Sequence, residues 1–153
     1  MDLFDISEKE YGDKYNDHLL QQWVTCVEMS NSVSEHRINV NNLFITLNTA
    51  LAALTNFKAN QVGVFLSGIG IILCVIWIIN NEYYKKLNKQ KYNIILEIEK
   101  KLPATPFGYE WNILGKGKDK KKHTSFTRIE EFISVIFIVI YLTIICPFVL
   151  SLL

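Results

Sequence analysis

The sequence has few of the residues from which catalytic and metal sites are built. It contains three histidines and three cysteines, and none of them stands in an HExxH, CxxC or nucleophile-elbow motif. No glycine-rich loop is followed by Lys-Ser or Lys-Thr, which excludes a phosphate-binding loop of that type. The isolated Cys26, Cys74 and Cys146 provide neither a disulfide framework nor a metal knuckle. We therefore expect a protein that is not an enzyme and that uses no cofactor or metal.

Charge is missing from three long stretches. Residues 43–57, 62–79 and 132–153 contain no Asp, Glu, Lys or Arg. At about 1.5 Å per residue, the second stretch covers about 27 Å, close to the hydrocarbon thickness of a bilayer, and the third is longer. The first is shorter and contains Asn48, so hydropathy alone leaves open whether it spans. Because backbone groups in lipid must be satisfied within their own segment, all three stretches are predicted to be helices of a membrane protein.

The spacing of apolar residues predicts two long helices. No Gly or Pro interrupts residues 13–62, and a second helix is expected from about residue 61 to the prolines that follow residue 101. The predicted fold is all-α and integral to the membrane: a long antiparallel helical hairpin with a cytoplasmic coiled-coil stalk, plus a third, C-terminal transmembrane helix. The predicted segments are a flexible acidic leader (1–14), the hairpin (15–101; transmembrane at about 42–57 and 62–79, stalk at 15–41 and 80–101), a basic cytoplasmic linker (102–130) and a transmembrane helix (131–153).

The net charge of +1 conceals a strong asymmetry along the chain. Residues 1–42 contain eight acidic residues and three basic ones, whereas residues 80–131 contain twelve of the sixteen Lys and Arg. Since cytoplasmic loops are enriched in Lys and Arg, residues 80–131 are predicted to be cytoplasmic. The charges are also mirrored about residue 59, which predicts pairing across the stalk. The residues predicted to pair are Glu28 and Glu35 on one arm and Lys85, Lys89 and Lys91 on the other.

A run of lysines precedes the last apolar stretch. It lies within about ten residues of the predicted third span and has no interleaved aromatic residues. This composition favours attraction to anionic lipid headgroups, worth about 1 kcal/mol per basic residue near the surface, over binding to nucleic acid. The lysines are Lys116, Lys118, Lys120, Lys121 and Lys122.

One half of the first helix is polar within its predicted membrane portion. Its residues recur at intervals of seven, which keeps a seam turned toward one neighbour. The predicted oligomer or pore face consists of Asn41, Asn42, Thr46, Asn48, Thr49 and Thr55. In the second helix, small residues recur at a spacing that lets helices approach closely in lipid. These predicted packing residues are Gly63, Ser67, Gly70 and Cys74.

Three stretches of the sequence carry a family resemblance. They are Glu35-His36-Arg37 with residues 42–51, residues 97–103 with Pro106 and Glu110-Trp111, and residues 126–130. In that order and spacing, over roughly residues 15–145, they resemble the RipA family of small bacterial membrane proteins, which is described as octameric. The resemblance implies a homo-octamer in the bacterial cytoplasmic membrane and a founding member tied to the intracellular proliferation of a pathogen. It implies no reaction.

Two functions therefore remain open. The first is a non-enzymatic membrane scaffold that presents a cytoplasmic platform, with itself, the lipid bilayer and an unidentified cytoplasmic protein as partners. The second is a pore or channel lined by the Asn/Thr face of the first helix. The topology also resembles that of the small transmembrane effectors of bacterial antiphage systems, which act by disrupting membranes.

Overall fold

The computed structural model describes residues 3–115 and 126–151 of the chain. Every regular element within these ranges is a helix, as the sequence predicts. The helices are α1 (Glu8–Tyr11), α2 (Tyr15–Thr55), α3 (Gln61–Glu99), α4 (Pro106–Ile113) and α5 (Phe126–Leu150). In the described part of the chain, two helices are long and apolar enough to cross a membrane, namely α3 and residues Ile129–Leu150 of α5. The less apolar α2 does not meet that criterion, in keeping with the polar residues of its second half.

The chain divides into two compact units. Unit 1 comprises Met1–Glu35 and Lys86–Thr124, and unit 2 comprises His36–Lys85 and Ser125–Leu153. The long helices α2 and α3 each contribute one half to each unit.

Unit 1 has a small core between the first half of α2 and the end of α3. Leu19 of α2 and Ile95 and Ile98 of α3 are almost completely buried. The ring of Phe107 from α4 lies edge-on to Trp23 of α2, with ring centroids 5.9 Å apart, and to Tyr92 of α3, at 6.0 Å. Aromatic edge-to-face contacts of this kind add about 0.5–1.5 kcal/mol to the burial of the rings themselves.

The acidic leader makes specific contacts within unit 1. The short α1 lies in this segment, and the Tyr11 hydroxyl is hydrogen-bonded to Nδ1 of His18 over 2.8 Å. The Lys101 ammonium lies 3.3 Å from the centre of the Phe4 ring, a distance at which a cation is attracted to the face of the ring. The flexibility expected of residues 1–14 stays a prediction, but the structure gives this segment defined partners.

The linker predicted at residues 102–130 contains a helix, α4, that was not predicted from the sequence. Pro106 is the first residue of α4, a position where its missing N–H costs nothing. Thr105 provides no side-chain cap, and the carboxylate of Glu99 takes that role. Its two oxygens accept the N–H groups of Phe107 and Gly108, each over 3.0 Å. A buried carboxylate at the positive end of a helix therefore holds α4 against the end of α3.

We predict that Glu99→Gln destabilises unit 1 by about 1–3 kcal/mol, because the amide keeps one acceptor and turns a donor toward the other N–H group. Thermal unfolding of the detergent-solubilised protein and limited proteolysis at residues 102–115 measure the effect. Glu97→Gln is the matched control, since Glu97 is half exposed and pairs only with Lys100 one turn away. Equal unfolding temperatures for the two variants would contradict the role assigned to Glu99.

Candidate functional site

The centre of unit 2 is a hydrogen-bonded node at Asn48. This side chain is completely buried, and its Nδ2 donates to the carbonyl of Phe44 one turn earlier in α2. Its Oδ1 accepts the Cys74 thiol of α3 over 3.3 Å and the Tyr141 hydroxyl of α5 over 3.1 Å. The same hydroxyl lies 3.0 Å from the backbone oxygen of Asn48. One amide therefore connects all three helices of the unit.

A second buried contact joins α2 to α3. The Trp77 indole N–H donates to Oδ1 of Asn41 over 2.7 Å, and the Trp77 ring stacks on Phe44 with centroids 5.8 Å apart. Asn41 contacts Trp77 and Asn48 contacts Cys74, so the later residue of α2 contacts the earlier residue of α3. Within unit 2 these two segments therefore run in opposite directions.

The contacts with α5 fix its direction as well. Tyr141 lies 93 positions after its partner Asn48, and Glu130 lies 93 positions after its partner Arg37. A constant offset means that α5 runs parallel to α2 and in register with it. Arg37 donates from Nε and from a terminal nitrogen to the same carboxylate oxygen of Glu130, the latter over 2.6 Å. Both side chains are about 15% exposed, so this ion pair is shielded from most of the solvent.

The small residues of α3 have different roles from one another. A Cβ built on Gly70 would overlap the Tyr141 ring, so this glycine makes room for the node. Cys74 belongs to the node, and Ser67 is buried without a hydrogen-bond partner among the described residues. Gly63 instead serves the turn before α3. Its N–H donates to Oδ1 of Asn60, and a Cβ there would overlap the carbonyl of Lys58 rather than another helix.

The six residues predicted to form one oligomer or pore face lie on two faces of α2. Asn41, Asn48 and Thr55 are buried inside the unit, where Thr55 donates to the Ala52 carbonyl and accepts the Phe57 N–H. Asn42, Thr46 and Thr49 are exposed. Within the protomer the first three thus face inward and the other three outward, and the oligomer or pore face expected from all six stays a prediction. At about 100° per residue, positions one apart in sequence fall on different sides of the helix.

The membrane half of α2 consequently has three faces. The inner face, described above, packs within unit 2. An apolar face exposes Leu43, Leu47, Ala50 and Leu54. The polar face, on the remaining side, recurs at intervals of three and four residues and is exposed throughout. It consists of Asn39, Asn42, Thr46, Thr49 and Ala53.

The side chains of the polar face make few hydrogen bonds within one copy of the chain. The Thr46 hydroxyl donates to the carbonyl of Asn42 in its own helix, over 2.8 Å. The side chains of Asn42 and Thr49 have no hydrogen-bond partner among residues 3–115 and 126–151. Such groups cost several kcal/mol each when they are left unpaired in hydrocarbon. The polar face therefore needs water or other protein wherever α2 lies at membrane depth.

The predicted stalk residues make few ion pairs. Lys85 pairs with Glu82 one turn earlier in its own helix, over 2.6 Å. Within the described part of unit 1, Glu28, Lys89 and Lys91 form no ion pair, so the register proposed from them stays a prediction. Glu35 is exposed and belongs to unit 1. The predicted headgroup residues lie outside the described residues, and these are Lys116, Lys118, Lys120, Lys121 and Lys122.

Several contacts of this site were not foreseen from the sequence, although a signal for them existed. Arg37 with Glu130, and Glu99 with the start of α4, lie within or beside the three stretches that carry the family resemblance. Tyr141 is a polar residue in the middle of an otherwise apolar run. A polar group in such a run marks a place where a partner is required, but it does not identify the partner.

The helices, the two apolar segments and the polar node define an all-helical membrane protein. The family model that matches the chain covers residues 20–150 and describes an octameric membrane protein family, 8xMP. The chain belongs to this family, and membership implies that it associates with copies of itself. Among curated proteins and solved structures, none matches the chain.

We predict that Gly70→Ala destabilises the protein by about 1–3 kcal/mol, because the new methyl group displaces the Tyr141 ring from Asn48. Gly68→Ala is the matched control. A Cβ there meets nothing within 4 Å, and alanine is the better helix former by about 1 kcal/mol. Thermal stability in detergent measures both variants. A loss at Gly70 no larger than that at Gly68 would contradict the packing described for the node.

Proposed function

We propose that the protein forms a homo-octameric pore in a bacterial cytoplasmic membrane, with the polar face of α2 turned toward a water-filled centre. The observation that carries this proposal is the division of α2 into three faces. The inner face packs within the protomer, and the apolar face suits lipid or a neighbouring helix. The polar face would be costly against lipid, because the side chains of Asn42 and Thr49 would find no hydrogen-bond partner there.

The depth of α2 supports the same proposal. Asn48 of α2 contacts Cys74 of α3 and Tyr141 of α5, and these partners lie in the two helices that are apolar enough to span. If α3 and α5 span the membrane, the segment of α2 around Asn48 lies at the same depth. The proposed topology accordingly has three spans, with α2 as the least apolar and the one least exposed to lipid.

The cytoplasmic stalk and the orientation belong to the same proposal. We place residues 80–131 and the N-terminus in the cytoplasm because of the excess of Lys and Arg in that segment. The proposed antiparallel hairpin continues from the membrane into a coiled-coil stalk, and the basic linker lies near anionic headgroups. The similarity to the RipA family suggests the bacterial membrane as the location.

We predict that cysteines introduced at residues 2 and 152, in a chain without its native cysteines, react with a membrane-impermeant reagent from opposite sides. Inverted vesicles should expose residue 2, and intact cells should expose residue 152. Labelling of both positions from one side would require an even number of spans and would exclude the three-span topology.

The pore itself is tested by comparing two adjacent positions, Thr49→Cys and Ala50→Cys, in the same cysteine-free background. Both residues are exposed in the protomer, but Thr49 lies on the polar face and Ala50 on the apolar face. A charged thiol reagent needs the thiolate, which forms in water and not in lipid. We expect Thr49→Cys in liposomes to react at least about tenfold faster than Ala50→Cys, because about 1.4 kcal/mol of differential stabilisation already gives that factor.

Equal reactivity at the two positions would contradict a water-filled centre. If Thr49→Cys instead forms disulfide-linked dimers and is not labelled, the polar face is a contact between copies. That result would favour the second candidate, a membrane scaffold with a cytoplasmic platform. One observation supports this alternative: α4 in unit 1 exposes Tyr109 and Ile113, one turn apart on the same side, where a cytoplasmic protein could dock.

A further inference from the structure

The composition of the polar face limits what a pore lined by it could select. Its amides and hydroxyls are dipoles without net charge, and α2 carries no Asp, Glu, Lys or Arg between residues 38 and 57. Rings of charged side chains, or rings of carbonyls in a narrow filter, are the usual sources of ion selectivity. Resting on the proposed pore, we infer that it passes small hydrated solutes of either charge sign without strong selection.

The width of an eight-membered ring leads to the same conclusion. Helices pack with their axes about 8–10 Å apart and have diameters of about 10–12 Å. Eight adjacent copies of α2 then enclose a lumen about 10–15 Å across, and the lumen is wider if other helices separate them. Selection by dehydration requires protein groups to replace the hydration shell of the ion, which a lumen of this width does not do.

The charged side chains nearest to residues 38–57 are Glu35 and Arg37 before them on α2 and Lys58 in the turn after it, and Glu35 is exposed without an ion pair among the described residues. Arg37 is paired with Glu130, so its charge is balanced within the protomer. Lys58 is exposed in the turn between α2 and α3 and carries an unbalanced charge. At about 0.15 M salt the Debye length of about 8 Å exceeds the radius of a lumen about 10–15 Å across, so eight copies of Lys58 attract anions at one end and eight copies of Glu35 attract cations toward the other. Because the two charges are opposite in sign, we expect no strong net preference for either ion.

Reversal potentials of the octamer in planar bilayers test this inference. Under a tenfold KCl gradient, perfect selectivity for one ion gives about 59 mV in magnitude. We expect a permeability ratio of K⁺ to Cl⁻ between about one third and three, and a shift of that ratio toward K⁺ in Lys58→Gln. In liposomes, a small anionic dye and a small cationic dye should leave at similar rates while a large dextran is retained.

A charge placed on the polar face should create the selectivity that the native chain lacks. Modification of Thr49→Cys after assembly, with an anionic reagent, should shift the permeability ratio toward K⁺, and a cationic reagent should shift it toward Cl⁻. Modification after assembly avoids variants that fail to fold. The same reagents applied to Ala50→Cys should leave the ratio unchanged, since that position lies on the apolar face.

The outcomes separate this inference from the pore on which it rests. A conducting octamer with a permeability ratio above about ten for either ion would overturn the inference and leave the pore standing. A conducting octamer whose permeability ratio does not change when a charge is attached at residue 49 would also overturn the inference, because the polar face would then not line the path of the ions. An assembled protein that conducts nothing and releases no dye would overturn both.

Discussion

The hydrogen bonds of Asn48 are the interaction on which unit 2 depends. In lipid there is no hydrophobic drive to bring apolar helices together, so close packing and polar contacts must do so. Asn48 provides such contacts to α3 through Cys74 and to α5 through Tyr141. The absence of a side chain at Gly70 allows Tyr141 to reach the amide. A node of one amide, one hydroxyl, one thiol and one glycine therefore fixes the relative positions of three helices.

The hydrogen bonds of the node determine which face of α2 packs inside the protomer and which faces stay exposed. The inner face of the helix is occupied by its own protomer, which leaves two exposed faces of opposite character. The apolar face is suited to lipid, while the polar face with Asn42 and Thr49 is not. Membership of an octameric family supplies seven further copies, and a closed ring offers a place away from lipid for the polar face. The proposed pore follows from this combination of occupied and unoccupied faces.

Unit 1 is stabilised by aromatic contacts and a buried carboxylate instead of a central hydrogen-bonded amide. Its core is small, and aromatic rings and a buried carboxylate supplement the few buried aliphatic side chains. Glu99 replaces a conventional helix cap, since Thr105 before Pro106 makes no side-chain hydrogen bond. The contacts of Lys101 with Phe4 and Tyr15 hold the beginning of the chain against the end of α3. The charged residues Glu99 and Lys101 thus have structural roles within unit 1.

The sequence by itself determined the helices and the membrane class. The signals are local: runs without charge, prolines after residue 101 and the 3.6-residue spacing of apolar residues. They can therefore be interpreted without knowing what each residue contacts. Tertiary structure decided which polar residues of α2 face inward. Asn41 and Asn42 are the same residue type in adjacent positions, yet Asn41 accepts the Trp77 indole N–H, whereas the Asn42 side chain has no hydrogen-bond partner among the described residues. The seven-residue spacing assigned both residues to one polar half of α2. It shows that polar residues recur on that half, but it does not identify which helix each of them contacts. The cap from Glu99 to α4 escaped prediction for the same reason: its partners are eight and nine residues away across a turn, and only the folded chain brings them within hydrogen-bonding distance.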